Sequence, residues 1–214
     1  MKKVLCVDWG NVLIEFDGGQ VGRLLKRGRK EILLRDFVKK HDADLISAFD
    51  FYEGLKAGGH FRKEIQWTEF AYAYSQCLSD INWTMFYALK DLKKTGRARL
   101  VAITDNNHFS FNLTALLFPL AVDLFIENGR EQIVSSHQKN INCLKRGFAP
   151  FVRACDIFKF FPEEAAFVDD KKYNLEAAVT SGFDRDACFL YKLGSRRNHA
   201  QFEKFLDKHF PAKS

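Results

Sequence analysis

The sequence predicts an α/β fold, in which a parallel β-sheet has helices on both faces. Three short apolar runs support this prediction: KVLCV (3–7), ARLVAIT (98–104) and AAFVD (165–169). Each run is almost continuously apolar, which is typical of a strand covered on both sides. Segments with helical periodicity lie between the runs, and strands that alternate with helices favour a doubly wound parallel sheet.

Helices are predicted where apolar residues recur at spacings of three and four. The segment TMFYALKDLKKTG (84–96) has this spacing and ends in a glycine, a common helix terminator. NLEAAVTSG (174–182) ends in the same way, and AQFEKFLDKHF (200–210) is amphipathic. Two further runs, AVDLFI (121–126) and ACFLY (187–191), are additional strand candidates.

One long region departs from the alternation of strands and helices. Residues 18–85 contain no predicted strand but several helical patterns, including EILLRDFVKKH (31–41) and WTEFAYAYSQCL (67–78). A helical block after the first strand indicates an inserted subdomain. The predicted organisation is therefore a core formed by residues 1–17 and 86–214, with a helical insertion at 18–85.

Composition limits the class of protein and of partner. The chain has 214 residues, 47% of them hydrophobic, which is enough for a sizeable core. Its net charge of +6 permits binding to nucleic acid, anionic lipid or phosphorylated metabolites. The basic residues are spread out, without a stacking or groove-reading motif, so we do not expect nucleic-acid binding.

Cysteine usage and hydropathy predict the location. The five cysteines form no C-x-x-C pair, and Cys6 and Cys188 lie in apolar runs, where buried thiols are expected. This pattern favours a reducing compartment. No run is long enough for a membrane span, and the first apolar run is too short for a signal peptide. We expect a cytoplasmic protein without a membrane partner, and the sequence does not indicate its oligomeric state.

Polar residues follow three of the predicted strands. The first ends at Asp8, the second at Thr104 and the third at the pair Asp169–Asp170. The carboxyl ends of parallel strands meet at one edge of the sheet, where ligands bind. Carboxylates that close together repel one another unless a cation neutralises them, and oxygen ligands suit Mg²⁺. An acidic nucleophile with Mg²⁺ and nearby donors suits phosphoryl transfer.

At these positions the chain resembles the haloacid dehalogenase (HAD) superfamily of Mg²⁺-dependent phosphatases. VDWGNVL (7–13) is similar to the family's first motif, which implies that Asp8 is the nucleophile. AITDNN (102–107) is similar to the second motif, which implies that Thr104 binds phosphate with the backbone amides of Asp105 and Asn106. TDNN also fits a simple helix N-cap.

Two later segments and the insertion extend the resemblance. KRGFAPF (145–151) is similar to the third motif and implies that Lys145 is its lysine. AFVDDKKYNLEAAVTSG (166–182) is similar to the fourth, which implies that Asp169 and Asp170 bind the metal. FYEGLKAGGHFRKEIQWTEF (51–70) is similar to the small helical cap that some members carry after the first strand.

The first motif departs from the family pattern in one chemically important place. The usual second aspartate, a general acid and base, is replaced by Gly10, and a usual threonine by Val12. The Gly10 carbonyl can still bind the metal, but glycine cannot transfer a proton. A similar subgroup that begins Asp-x-Gly-Asn-Val includes sugar-phosphate phosphatases. The substrate itself, or a cap residue such as His60, is a candidate for the missing group.

The third motif departs as well. Arg146 replaces the usual proline, and the segment before the lysine is longer than usual. Lys139 is therefore a rival to Lys145 for the same role. Either lysine would balance the charge of the nucleophile and of the phosphoryl group.

The resemblance implies a Mg²⁺-dependent phosphatase that acts on a small phosphorylated metabolite through an aspartyl-phosphate, with sugar phosphates among the candidates. Mg²⁺ would be held by Asp8, the Gly10 carbonyl and Asp170, with Asp169 binding directly or through water. Two alternatives stay open at this point. The altered motifs fit a weakened binding or regulatory module, and a metal-independent dehalogenase belongs to the same superfamily but does not call for an acidic cluster.

Overall fold

A five-stranded parallel sheet forms the centre of the protein. The structure is a computed structural model and describes residues 3–26, 33–138 and 144–212. The described strands are β1 (Val4–Val7), β2 (Ile14–Phe16), β3 (Leu78–Ile81), β4 (Arg99–Thr104), β5 (Ile126–Glu127), β6 (Arg130–Glu131), β7 (Ile133–Ser135), β8 (Ala165–Asp169) and β9 (Cys188–Leu190). The central sheet has the order β7-β4-β1-β8-β9, and all its neighbouring strands are parallel.

Helices surround the sheet and form the insertion between β2 and β3. The described α-helices are α1 (Gly19–Gly22), α2 (Leu33–Asp42), α3 (Ala48–Ala57), α4 (Trp67–Ser75), α5 (Trp83–Lys94), α6 (His108–Leu117), α7 (Pro119–Asp123), α8 (Ala149–Phe158), α9 (Lys172–Thr180) and α10 (Arg196–His209). None of the helices within the described ranges is long and apolar enough to cross a membrane.

Alternating residues of the central strands face two separate cores. Leu5 and Val7 of β1 lie in one core, which also contains buried residues of α5 and α10. Cys6 lies in the other core, with Phe151 of α8 and Ala178 of α9. Successive side chains of a strand point to opposite faces, so the continuously apolar sequence of β1 is explained by helices on both sides. The predicted α/β fold class is confirmed.

The helical insertion has its own core, apart from those of the sheet. Buried aromatic and aliphatic side chains from α3, α4 and the segments beside them pack together: Leu25, Phe51, Tyr52, Leu55, Phe61, Ile65, Phe70 and Tyr74. The insertion is entered and left through β2 and β3, which pair in antiparallel fashion. The predicted division after residue 85 falls inside α5, which begins at Trp83.

Strand β3 corrects the prediction that residues 18–85 contain no strand. Leu78–Ile81 is a strand, but two of its four residues, Ser79 and Asp80, are exposed. A half-exposed strand of four residues has no continuous apolar run, so the pattern did not indicate it. Its pairing with β2 gives the insertion a two-stranded base.

The strand predicted at residues 121–126 is wrong. Pro119 begins α7, and Ala121 and Val122 are buried from this short helix rather than from a strand. Proline is favoured in the first turn of a helix, because its fixed φ suits the helix and its missing N–H has no partner there. An apolar run of this length does not by itself distinguish a strand from a buried helix.

The predicted strands at 98–104, 165–169 and 187–191 are confirmed as β4, β8 and β9, and the helices at 84–96, 174–182 and 200–210 as α5, α9 and α10. Strand β7 was not predicted. Cys6 is buried as expected, whereas Cys188 is partly exposed.

Candidate active site

Asp8 lies directly after the central strand of the sheet. Its backbone amide donates to the Val168 carbonyl at 3.0 Å, which continues the pairing of β1 with β8. Its side chain is buried, with 4% of the residue exposed, and Oδ1 accepts a hydrogen bond from the Trp9 amide at 2.8 Å. The sheet thus fixes both the position and the rotation of this carboxylate.

A tight loop follows Asp8 and contains Gly10. The amides of Val12, Leu13 and Ile14 all donate to the Trp9 carbonyl. A Cβ built on Gly10 would meet no atom within 4 Å, so the position has room for a side chain. Within the described ranges the Gly10 carbonyl accepts no hydrogen bond, which leaves it available to a ligand.

Lys145 is a fully buried cation held between two carboxylates. Its Nζ lies 2.7 Å from Oδ1 of Asp8 and 2.6 Å from Oδ2 of Asp169. Its backbone amide donates to Oδ1 of Asp105 at 2.8 Å. Burial lowers the pKa of Lys145, but the carboxylates of Asp169, Asp8 and Asp105 raise it well above its usual range. The lysine is therefore charged at neutral pH. The rival Lys139 lies outside the described residues.

Asp169 is surrounded by hydrogen-bond donors. Its carboxylate receives Nδ2 of Asn174 at 3.0 Å to each oxygen, the Lys171 amide at 2.8 Å, and Lys145. No part of Asp169 is exposed. This arrangement suits an acid that orients Lys145 more than one that binds a metal directly. Asn174 holds the Asp169 carboxylate in place by donating to both of its oxygens.

Three carboxylates nevertheless converge closely enough to hold a metal ion. One oxygen each from Asp8, Asp169 and Asp170 lies within 4.8 Å of the other two. Oδ1 of Asp170 is buried without a hydrogen-bond partner among the described residues, and Nζ of Lys171 is 3.7 Å away. A buried carboxylate oxygen without a partner is costly unless a cation binds it.

The charges of this cluster also favour an additional cation. The four acids Asp8, Asp105, Asp169 and Asp170 face two ammonium groups, those of Lys145 and Lys171. Burial raises the pKa of Asp8 to about 7, although Lys145 lowers it, and repulsion from Asp169 adds to the increase. Burial also raises the pKa of Asp105 and of Asp170. A bound divalent cation would keep these acids ionised.

The loop after β4 places hydroxyl and amide donors beside the acids. Thr104 ends β4 and is buried. The Asn106 carbonyl accepts hydrogen bonds from Oγ of Ser135 at 2.8 Å and Oγ of Ser136 at 3.0 Å, so it is turned toward the end of β7. Within the described ranges, the amides of Asp105 and Asn106 donate no hydrogen bond to protein. Free amides of this kind can bind an anion.

These groups share a cavity of about 350 Å³ between the sheet and the helical insertion. One side is supplied by the ends of the strands and the loops after them, and by Lys145 in the short turn before α8: Asp8, Gly10, Thr104, Asp105, Asn106 and Lys145. The insertion and β2 supply the other side through Phe16, Val38, Lys39, Asp42 and Tyr74. Asp169 and Asp170 are not part of the cavity lining and lie beside Asp8. The sequence-predicted site residues are thus brought together at one edge of the sheet.

Comparison with known proteins gives structural relatives only. No protein-family model matches the sequence, and no curated protein matches it. A HAD family enzyme from Bacteroides thetaiotaomicron superposes with a TM-score of 0.71 at 17% identity, over 94% of this chain and 98% of that one. This chain has the HAD-like fold. The same enzyme, at a TM-score of 0.69 and 18% identity, has been crystallised with magnesium and inorganic phosphate.

Two further structures have the HAD-like fold. One is a predicted HAD-like hydrolase from Porphyromonas gingivalis, with a TM-score of 0.69 at 20% identity over 95% of this chain and 98% of that one. The other is an L-2-haloacid dehalogenase from Xanthobacter autotrophicus, with a TM-score of 0.58 at 13% identity over 100% of this chain and 91% of that one. The predicted fold family is confirmed, and identities this low leave the chemistry to the residues of the site.

The insertion is joined to the HAD-like core by a buried polar network. Nδ2 of Asn107, the last residue of the second motif, lies 3.1 Å from Nε2 of His41 and 3.2 Å from the Tyr74 hydroxyl. That hydroxyl is 2.7 Å from Oγ of Ser110. Asn107 also caps α6 by accepting the Ser110 amide at 2.8 Å. The helix N-cap that TDNN suggested is therefore present, and it contacts the insertion as well.

Several residues of the cavity were not predicted. Asp42, Tyr74 and Lys39 belong to helices whose sequence pattern shows an apolar face but not what that face meets. Lys171 directly follows the pair Asp169–Asp170, and this position in the sequence could have indicated that it lies at the site. His60, the predicted candidate for proton transfer, is not among the lining residues of the cavity.

Proposed function

We propose that this protein is a Mg²⁺-dependent phosphatase that acts on a small phosphorylated metabolite, with Asp8 as the nucleophile. One observation supports this most strongly: the Asp8 carboxylate, at the end of the central strand, lies 2.7 Å from the Lys145 ammonium and within 4.8 Å of carboxylate oxygens of Asp169 and Asp170. A carboxylate in this position can attack phosphorus while neighbouring charges are balanced.

The donor set fits Mg²⁺. Asp8, Asp170 and the Gly10 carbonyl offer oxygen ligands, and Mg²⁺ commonly takes one or two carboxylates together with water and substrate phosphate. When bound, the ion would neutralise charge on the transferring phosphoryl group. The B. thetaiotaomicron enzyme of the same fold, crystallised with magnesium and inorganic phosphate, supports this choice of cofactor.

The protein's own groups account for binding and orientation. The phosphate would lie beside Asp8, where Thr104 and the amides of Asp105 and Asn106, which have no partner among the described residues, would donate hydrogen bonds to it. Lys145 favours the ionised form of Asp8, and its ammonium and the Trp9 amide together fix the position of Oδ1. These donors are fixed before the substrate arrives, which is the arrangement that stabilises developing negative charge.

The reaction then takes two displacements. An Asp8 oxygen forms a bond to phosphorus as the bond to the leaving oxygen breaks. Water next attacks the phosphorus of the aspartyl-phosphate, which releases inorganic phosphate and restores the Asp8 carboxylate. A cavity of about 350 Å³ is at the small end of ligand sites, which favours a metabolite-sized leaving group, with sugar phosphates among the candidates.

The test is hydrolysis of 4-nitrophenyl phosphate with MgCl₂ or with EDTA. We expect Mg²⁺-dependent turnover by the wild type and a loss of about 10³-fold or more in Asp8→Asn. Asp156→Asn, which changes an exposed acid on α8, is the matched control and should retain wild-type activity. Undiminished turnover by Asp8→Asn in the presence of Mg²⁺ would contradict the proposed nucleophile.

The replacement of the usual acid by Gly10 favours a second candidate, a binding or regulatory module with a weakened site. A nitrophenolate leaving group needs no general acid, so an inactive wild type on this substrate would support the second candidate. Halide release from 2-chloropropionate without Mg²⁺ would instead indicate a dehalogenase.

A further inference from the structure

Gly10 leaves the proposed phosphatase without the group that would transfer protons. Three acids line the described part of the cavity: Asp8, Asp42 and Asp105. Asp8 is the proposed nucleophile, and Oδ1 of Asp105 accepts the backbone amide of Lys145. Asp42 is the remaining acid, and within the described ranges its carboxylate has no hydrogen bond or ion pair.

The backbone of Asp42 is anchored at the cavity wall, whereas its carboxylate has no partner in the part of the chain that the structure describes. It ends α2, and its backbone carbonyl accepts a hydrogen bond from Oγ of Ser136, which follows β7. The preceding His41 is buried, stacked on Phe51 at 4.8 Å between ring centroids, and contacts Asn107. Because its own backbone and the residue before it are both held in place, Asp42 is well suited to present its carboxyl group to a substrate.

The second anchor is two residues further along. Oδ1 of Asp44 accepts the amide of His108, the first residue of α6, at 3.0 Å. The turn that follows α2 is thus fixed to the N-terminus of α6 as well as to the loop after β7. Asp42 lies between these attachments, on the side of the cavity opposite the strand ends.

The charged groups around Asp42 come from several elements. Asp105 of the loop after β4 and Lys171 of the loop after β8 act on it electrostatically. Tyr74 of α4 is also within its electrostatic range, and Lys39 of α2 lines the same cavity. Burial raises the pKa of Asp42 to about 7, with a further increase from Asp105 and a decrease from Lys171. An acid and base that works at neutral pH needs a pKa close to this value.

We propose that Asp42 is the general acid and base of the reaction and takes over the function that Gly10 cannot perform. This inference rests on the proposed phosphatase activity. In the first step, the protonated Asp42 gives its proton to the leaving oxygen as the phosphorus–oxygen bond breaks and the bond to Asp8 forms. In the second, the Asp42 carboxylate takes a proton from water as the water oxygen bonds to phosphorus and the aspartyl-phosphate bond breaks.

Gly10 has a complementary part in this arrangement. A side chain at Gly10 would have open space and an unstrained backbone, so sterics alone do not explain the glycine. The space in front of Asp8 is instead open to a proton donor that approaches from the insertion.

The experiment compares two leaving groups in the full-length protein and in Asp42→Asn. With glycerol 2-phosphate, whose alkoxide leaving group needs a proton, Asp42→Asn should lose about 10²–10⁴-fold in kcat. With 4-nitrophenyl phosphate, the variant should release one equivalent of nitrophenol per site in a rapid burst and then turn over slowly, because only the second step lacks its base. Glu53→Gln, which changes an exposed acid on α3, is the control and should behave as the wild type.

A rescue experiment separates proton transfer from simple damage to the site. Gly10→Asp places an acid at the position that the family resemblance assigns to it, where there is room. When it is added to Asp42→Asn, kcat on glycerol 2-phosphate should rise at least about tenfold above that of Asp42→Asn alone. If Asp42→Asn does not fold, Asp42→Ser can be assayed instead on both substrates, with and without Gly10→Asp.

Other results of these assays would refute either the role of Asp42 or the phosphatase activity itself. Wild-type rates of Asp42→Asn on both substrates would refute Asp42 as the acid and base while leaving the phosphatase proposal intact. Equal losses on both substrates, without a burst and without rescue, would also refute it, because they indicate a positioning residue. A wild type that hydrolyses neither substrate would refute the proposed function itself.

Discussion

Lys145 shows how a single residue organises the site. It is 1% exposed, yet it carries a charge that two carboxylates from neighbouring strands hold in place, Asp8 after β1 and Asp169 at the end of β8. Burying an ammonium group is costly unless it is paired and hydrogen-bonded. The ion pairs therefore stabilise the fold, and they also hold the proposed nucleophile Asp8 in position.

Replacing Lys145 by methionine should strongly destabilise the metal-free protein. Two buried carboxylates would lose their shared partner, and removing one partner of a buried pair costs about 3–5 kcal/mol. The loss should be smaller at pH 5 than at pH 8, because the acids that the lysine no longer keeps ionised can then bind protons. Urea unfolding in EDTA at both pH values measures it.

Lys172→Met is the matched control, because Lys172 is exposed and pairs with Glu176 on the surface at 3.6 Å. Its effect should stay within about 0.5 kcal/mol. If the two lysine variants unfolded at the same urea concentration, the buried ion pairs of Lys145 would not stabilise the folded protein as proposed.

At the residue scale, the sequence predicted the groups whose positions the sheet determines. Asp8, Thr104 and Asp170 follow strands of a parallel sheet, so their meeting at one edge follows from the fold. Asp42 could not be predicted in the same way, because its place depends on how the insertion docks on the core. No periodicity in the sequence of α2 encodes that contact.

Among the helices, the N-terminus of α6 attaches the insertion to the core through a buried polar network. Asn107 accepts the Ser110 amide and contacts His41 of α2 and Tyr74 of α4, so one side chain links three helices. Burial lowers the pKa of His41, which keeps its ring neutral and able to accept a hydrogen bond from Asn107.

Asn107→Ala should destabilise the protein by about 1–3 kcal/mol, since it removes a helix cap and leaves buried polar groups without partners. Asn112→Ala, on the exposed side of the same helix, should change stability by less than about 0.5 kcal/mol. Denaturant unfolding of both variants checks this. Equal midpoints for the two would show that the network does not hold the insertion in place.

The elements themselves were predictable to different degrees. The buried strands β1, β4 and β8 have apolar runs that are unambiguous when helical patterns lie between them. Strand β7 has only three residues, and its short apolar stretch gives no periodicity to detect. Pro119 begins a short helix that ends at Asp123 and takes up the first half of the run at 121–126, and that local effect outweighed its strand-like composition.

Taken as a whole, the sheet and the insertion enclose a site in which acids outnumber cations among the described residues. This predicts that Mg²⁺ stabilises the folded protein. A ligand that binds only the native state adds about 2.7 kcal/mol at a hundredfold excess over its Kd, which raises Tm. Thermal unfolding with MgCl₂ and with EDTA measures the shift.

Asp170→Asn should lose most of that Mg²⁺-dependent shift, because Asp170 provides the buried oxygen that lacks a partner. The exposed Asp156→Asn should keep it. A shift of wild-type size in Asp170→Asn would place the metal elsewhere. This readout is independent of catalysis, so it tests the metal site even if the substrate stays unidentified.

The most direct test of the central claim is to identify the phosphorylated residue. Wild-type protein turning over 4-nitrophenyl phosphate with MgCl₂ is quenched, reduced with borohydride and digested for peptide mass spectrometry. An aspartyl-phosphate is reduced to homoserine, so we predict homoserine at position 8, and none in EDTA or without substrate. Active turnover that leaves Asp8 unmodified, or homoserine at a different aspartate, would contradict the account.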